Sequence, residues 1–188
     1  MIEVLDNFQG VAVPRIKLEC DYSCESEITQ LLADTGKIAR FQSRNPRAGP
    51  AKITQDWLVG WYAEQCYCDL MTNKYRLEDK LAVNYQITGN GGFVDNWVDF
   101  THPLYKRPVS IKGTNKYELG FVFQDSDTRV CDFYYFFHVV ERGFPFANVR
   151  WIYAGTPQGL KRGKLKNGST NKYAVYPREN NMREPIKI

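Results

Sequence analysis

A chain of 188 residues, 43% of them hydrophobic and 14% aromatic, is long enough to bury one real core. No apolar run reaches the roughly 18 residues that a membrane-spanning helix needs, so no membrane partner is expected. The net charge of +4 is too small to name a partner by itself. The N-terminus, Met1-Ile2-Glu3-Val4-Leu5-Asp6, lacks a basic region followed by an apolar core, so no secretory signal is expected. Five cysteines, Cys20, Cys24, Cys66, Cys68 and Cys131, are an odd number. Reduced thiols and a cytoplasmic location (the host cytoplasm, if the chain is viral) follow as the default.

In chain order, residues 11–20 alternate, with Ile16, Leu18 and Cys20 separated by Lys17 and Glu19, which predicts a half-buried strand. Over 24–35, Ile28, Leu31 and Leu32 share a helical face, and Gly36 is the expected stop. A basic, turn-rich loop follows, Ser43-Arg44-Asn45-Pro46-Arg47-Ala48-Gly49-Pro50. Thr54 is then the expected N-cap of a long helix reaching about Met71. Its apolar residues cover nearly the whole circumference, as in a helix buried at a domain's centre. Glu64 lies in the middle of it, and a carboxylate there needs a partner or a cation.

Period-two patterning takes over downstream. A strand is predicted over 81–87, a turn at Gly89-Asn90-Gly91-Gly92, and strands near 96–101, 107–112, 118–124, 132–140 and 148–154. The run Phe133-Tyr134-Tyr135-Phe136-Phe137-His138-Val139-Val140 is apolar on both faces and suits a central strand. His138 within it reads as a core residue, and His102, before Pro103, as a loop residue. The expected class is α/β, a central mixed β-sheet flanked by helices. Residues 1–52 form an N-terminal extension (strand, short helix, basic loop), 53–156 the core and 157–188 a basic C-terminal tail, within one compact domain.

Positive charge is unevenly spread. Between Lys37 and Gln55 there are Lys37, Arg40, Arg44, Arg47 and Lys52 and no acid. Between Pro157 and Arg178 there are Lys161, Arg162, Lys164, Lys166, Lys172 and Arg178, again with no acid. Such stretches suit a polyanion, whose phosphates release counterions on contact, although solvated loops would look the same. Arg40, Arg44, Arg47, Lys52, Lys116, Lys161, Arg162 and Lys164 are the candidate nucleic-acid contacts.

One constellation carries chemistry. Residues two apart in a strand share a face, so Ser110 and Lys112 point the same way while Val109 and Ile111 point into the core. If strands 96–101 and 107–112 pair, Asp99 reaches the face of Lys112, and Glu64 reaches it from behind. Asp99, Glu64 and the main-chain carbonyl of Ile111 would offer hard oxygens to Mg²⁺ or Mn²⁺, and Lys112 would meet developing negative charge.

Gly60-Trp61-Tyr62-Ala63-Glu64-Gln65-Cys66, then Gly91-Gly92, Val98-Asp99-Phe100 and Val109-Ser110-Ile111-Lys112, then Cys131-Asp132-Phe133-Tyr134-Tyr135-Phe136 and Trp151-Ile152-Tyr153-Ala154-Gly155, follow one another in an order that resembles the PD-(D/E)XK nuclease superfamily over about residues 53–156. The resemblance implies a restriction-endonuclease-like core and metal-dependent hydrolysis of phosphodiesters. It implies Lys112, Asp99, Glu64 and Ser110 as catalytic positions, double-stranded DNA as substrate, and a homodimer. Three departures stand out. Ala63 occupies a position where glycine is common, no proline precedes Asp99, and Ser110 occupies a position usually held by Asp, Glu or Gln. Asp95 and Gln124 are the nearest candidates to compensate for Ser110. The serine motivates an alternative, a nuclease-like fold that binds nucleic acid or a protein without cutting. A structural protein of a phage or mobile element is a third reading.

Other chemistries fit the residues less well. There is no Gly-x-Ser-x-Gly elbow, and Gly89-x-Gly91-Gly92 lacks the lysine and helix of a phosphate-binding loop. A zinc site from Cys20 and Cys24 with Cys66 and Cys68 has poor spacing, and a cysteine nucleophile would need exposed Cys and His together.

Overall fold

The structure is a computed structural model and describes residues 2–8, 11–19, 26, 29–30, 32–34, 36, 38–39, 47–76, 99–116, 121–124, 131–141, 146–155, 163–164 and 172–175. The expected strand at 81–87, the Gly89–Gly92 turn and the segment 91–98 lie outside the described residues. What is described is α/β: a six-stranded mixed sheet with a long helix on it, and a second, three-stranded sheet.

The helix, α1, spans Pro50–Tyr75. It starts one turn earlier than a Thr54 cap would place it. Gly49 is the N-cap, with φ −68° and ψ 162°, and makes no side-chain capping bond. Pro50 explains the start, because its ring presets a helical φ and its missing N–H would have no partner in the first turn anyway. Lys52 therefore sits in that first turn, exposed and ion-paired with Asp56. Arg76 closes the helix in a left-handed conformation, its N–H donating to the Thr72 carbonyl. As the apolar circumference predicts, Leu58, Val59, Tyr62, Ala63, Cys66, Tyr67, Cys68 and Met71 are all buried.

The large sheet joins β1 (Ile2–Phe8), β2 (Val11–Glu19), β3 (Phe100–Thr101), β4 (Pro108–Thr114), β6 (Phe133–Glu141) and β7 (Phe146–Gly155) in the order β1-β2-β7-β6-β4-β3. Only β4 and β6 run parallel, from Val109 opposite Phe133 to Thr114 opposite His138. Residues 134–139 of β6 are buried on both faces, His138 among them, so the uninterrupted apolar run is the central strand the sequence predicts. β2 is the expected strand. Its hairpin partner β1 was not expected, and β2 pairs with β7, so the N-terminal residues widen the main sheet.

β5 (Phe121–Gln124) lies in the crossover between β4 and β6 but belongs to the second sheet, paired antiparallel with β9 (Lys172–Val175), which pairs with β8 (Gly163–Lys164). Part of the expected basic C-terminal tail is thus strand. Near the N-terminus, 32–34 are helical with Leu32 buried. Gly36, at φ +63°, ends that turn as expected, its N–H donating to Ala33 O at 3.1 Å. Among the described residues no helix is long and apolar enough to cross a membrane.

Candidate functional site

Gly113 fixes how α1 meets the sheet. A Cβ at this position would lie 2.7 Å from the Val59 carbonyl oxygen and 3.0 Å from the Ala63 Cβ. The helix backbone therefore rests almost directly on β4, on the face that also carries Val109 and Ile111. Ala63 fits against β4 because the strand residue opposite, Gly113, carries no side chain. Glu64 follows Ala63 and is half-buried.

Ser110 and Lys112 alternate to the other face. Ser110 is fully buried there and Lys112 half-buried. Asp99 stands just before β3, its N–H donating to Val109 O at 2.9 Å, so it lies across from this part of β4. Its Oδ2 accepts a hydrogen bond from Ser110 Oγ at 3.2 Å and another from the Ile111 N–H at 2.5 Å. The carboxylate thereby satisfies a main-chain donor of β4 next to the two-residue pairing of β3 with Val109 and Pro108. Hydrogen bonds to an ionised acceptor are among the stronger ones, so Asp99 is held in one orientation.

Asp99 and Ser110 are thus brought together, and Lys112 is placed on the same face by the strand period. Glu64 comes from the helix side. Its helix packs on the Val109, Ile111 and Gly113 face, opposite to the one that carries Asp99, Ser110 and Lys112. Past Asp99 and Ile111, β6 is the one strand neighbour of β4 among the described residues. Asp95 lies outside the described residues. Gln124 pairs with Lys172 in the second sheet, not with a strand flanking Ser110.

The oxygens gathered here are hard donors: the Asp99 carboxylate, the Ser110 hydroxyl and the main chain of Ile111. They suit a cation such as Mg²⁺, which takes one or two carboxylates and keeps several waters. Among the described residues no group of three or more His, Cys, Asp or Glu side chains is placed to hold a metal. A thiolate zinc site is disfavoured, since Cys66 and Cys68 are buried and project from nearly opposite sides of α1. Cys20 and Cys24 lie outside the described residues.

The turn from His102 to Arg107 adds a feature the sequence reading passed over. His102 is fully buried, and its Nδ1 accepts the N–H groups of Leu104 at 3.2 Å and Tyr105 at 3.3 Å. It packs against Tyr75, Tyr105 and Phe133. Beneath, Tyr67 contacts Phe100 and Tyr135, with ring centroids 5.1 and 4.9 Å apart. Burial, then the neighbouring Tyr135, Cys68 and Tyr75, pushes the Tyr67 hydroxyl far above its ordinary range. Burial, then Tyr75 and Tyr105, does the same to Tyr135. Asp132, before β6, donates its N–H to Pro108 O at 2.9 Å and pairs with Arg107 at 3.4 Å, a strand-start role.

Of the expected nucleic-acid contacts, Arg47 and Lys116 are exposed and Lys52 is exposed with its Asp56 partner. Lys164 lies in β8, while Arg40, Arg44, Lys161 and Arg162 lie outside the described residues. No family model, no curated protein and no solved structure matches the chain.

Proposed function

We propose that this chain is a metal-dependent endonuclease with a restriction-endonuclease-like core, acting on the phosphodiester bonds of double-stranded DNA, as a homodimer. The observation that carries the reading is the direct contact of Asp99 with Ser110, two residues before Lys112 on the same face. A further support is the parallel pairing of that strand with the apolar central strand, over a helix that carries Glu64.

In this reading Asp99 and Glu64, with the Ile111 carbonyl, hold Mg²⁺ or Mn²⁺. When bound, the cation polarises the phosphate and lowers the pKa of an attacking water. The chain's own contributions are distinct. Ser110 and the Ile111 N–H keep the Asp99 carboxylate in a fixed orientation. The Lys112 ammonium stabilises charge that builds on the phosphoryl oxygens in the transition state. Arg47 and Lys116 supply exposed positive charge that attracts the nucleic-acid backbone.

The test is nicking of supercoiled plasmid with Mg²⁺ or Mn²⁺ by wild type and Lys112→Ala. Cleavage by wild type and its loss in Lys112→Ala, at unchanged melting temperature, is the expected outcome. No cleavage by wild type, or equal cleavage by both, rejects the reading. A second reading is favoured by one observation: Ser110 brings no negative charge, and Asp99 Oδ2 already takes two protein donors. Here the same fold binds nucleic acid without cutting, and calorimetry with Mg²⁺ shows no heat.

A further inference from the structure

The exposed tip of the β3–β4 turn is built rather than slack. Among the described residues the most exposed large apolar side chains are Leu104, at 56%, and Tyr105, at 43%. They are neighbours, and two basic residues, Lys106 and Arg107, follow directly. The backbone beneath is locked. Nδ1 of the buried His102 holds the N–H groups of both Leu104 and Tyr105. Lys106 N donates to His102 O at 2.9 Å, and His102 N donates to Arg107 O at 2.8 Å. Lys106 adopts φ +53°, a left-handed conformation that a non-glycine residue holds only when its surroundings enforce it.

The Tyr105 ring packs against two others in tilted contacts. Its centroid lies 4.7 Å from His102 at an interplanar angle of 37°, and 5.8 Å from Phe133 at 34°. His102 and Phe133 are themselves only 5.6 Å apart. Rings on opposite faces of Tyr105 would be separated by nearly the sum of the two distances. Both neighbours therefore lie to one side of Tyr105, and the residue is left 43% exposed. An aromatic ring held on one side, partly exposed and followed by positive charge matches a planar, electron-rich group tethered to an anion, which is the chemistry of a nucleotide.

We propose that Tyr105 is a stacking platform for an unpaired base, so that the preferred substrate contains a single-stranded segment, flap, junction or frayed end. This rests on the nucleic-acid reading above and narrows its substrate class. Ser110 is five residues further on, at most about 18 Å of extended chain, so a base on Tyr105 would lie a few nucleotides from a scissile phosphate. Lys106 is placed to meet the phosphate next to the stacked base. Bases inside a closed duplex present no face to Tyr105, so perfect duplex gains nothing from it.

The experiment measures fluorescence anisotropy of labelled oligonucleotides, single-stranded and fully duplex, with wild type, Tyr105→Ala and Tyr105→Trp, without divalent metal. Tyr105→Ala is expected to weaken single-strand binding by about 5- to 150-fold, the usual range for one base–aromatic stack. Duplex binding and the salt dependence should stay unchanged, and Tyr105→Trp should restore single-strand affinity. Equal binding of the single strand by wild type and Tyr105→Ala overturns the proposal. So does a parallel loss on single strand and duplex, or the absence of single-strand binding by wild type. The plasmid assay separates the two claims. A wild type that does not cut but shows the Tyr105-dependent preference keeps the platform and removes the endonuclease. Lys112-dependent cutting without any effect of Tyr105→Ala does the reverse.

Discussion

Replacing Gly113 with alanine tests the helix-to-sheet joint on which the site depends. The new methyl group would stand 2.7 Å from the Val59 carbonyl oxygen, 3.0 Å from the Ala63 Cβ and 3.3 Å from the Val59 carbonyl carbon. Ordinary van der Waals contact begins near 3.4 Å, so about 0.7 Å must be found (3.4 minus 2.7). Two of the three obstructing atoms are helix backbone, which cannot swing away as a side-chain tip can. Overpacking of this kind costs about 1–3 kcal/mol. It is offset by about 0.4–1 kcal/mol from the lower entropy of the unfolded chain when glycine becomes alanine. A net destabilisation of about 1–2 kcal/mol follows, read as a lower urea midpoint at unchanged slope. Gly60→Ala is the internal control. It sits in the same helix with nothing within 4 Å of its would-be Cβ, so it should stabilise by about 0.5–1 kcal/mol. Since α1 carries Glu64 and β4 carries Lys112, lifting the helix should also reduce cleavage in Gly113→Ala under conditions where it remains folded. A Gly113→Ala protein as stable as Gly60→Ala would refute the close approach and the placement of Glu64 that depends on it.

Asp99→Asn keeps an acceptor for the Ile111 N–H and should melt within about 1 kcal/mol of wild type, whereas Asp99→Ala strands that donor and should cost about 1–3 kcal/mol. Both should abolish cleavage, and equal melting of the two would show that the carboxylate does not hold β4. Ser110→Asp sets a second carboxylate beside Asp99. Without divalent ion it should lose on the order of 2–4 kcal/mol by like-charge repulsion, and Mg²⁺ should restore melting temperature with the logarithm of its concentration. An unchanged melt with and without Mg²⁺ would count against a cation at this spot. Tyr67 and Tyr135 have hydroxyl pKa values raised above the unfolded value of about 10. The folded state then keeps protons the unfolded state gives up, so stability is full below about pH 10 and falls as pH rises above it. Tyr67→Phe and Tyr135→Phe should each flatten that fall in alkaline denaturation.

Much of the architecture was readable because burial writes simple patterns. The all-round apolar helix and the two-faced apolar strand around Tyr135 are so one-sided in composition that only a central position accommodates them. Helix boundaries were less legible. Thr54 is a good capping residue, yet Pro50 starts the helix, because a preset φ outweighs a side-chain cap that is not needed. β1 escaped notice because it reads as a strand only once β2 is beside it. The roles of β5 and of the strand starting at Lys172 depend on pairing across some fifty residues, which no local pattern records.

The site shows the same division between local and non-local information. The strand period put Ser110 and Lys112 on one face, and nothing in the structure disturbs that. The hydrogen bond that makes Asp99 more than a turn residue depends on where β3 pairs with β4, and that is a property of the register. His102 shows what a correct local reading leaves out. It is the loop residue its place before Pro103 suggested, but it is buried, and its Nδ1 organises the turn through two backbone N–H groups. A carboxylate and an imidazole, one at each end of the same short hairpin, thus do the same kind of work. Each accepts main-chain donors and fixes what lies next to it, the Asp99–Ser110 pair at one end and the backbone of Leu104 and Tyr105 at the other. If the hairpin is one rigid piece, His102→Ala should loosen the Tyr105 stack and weaken single-strand binding as Tyr105→Ala does. It should lower cleavage of duplex plasmid less than Asp99→Asn does. An effect on duplex cleavage as large as that of Asp99→Asn would mean that the two ends of the hairpin are not separable.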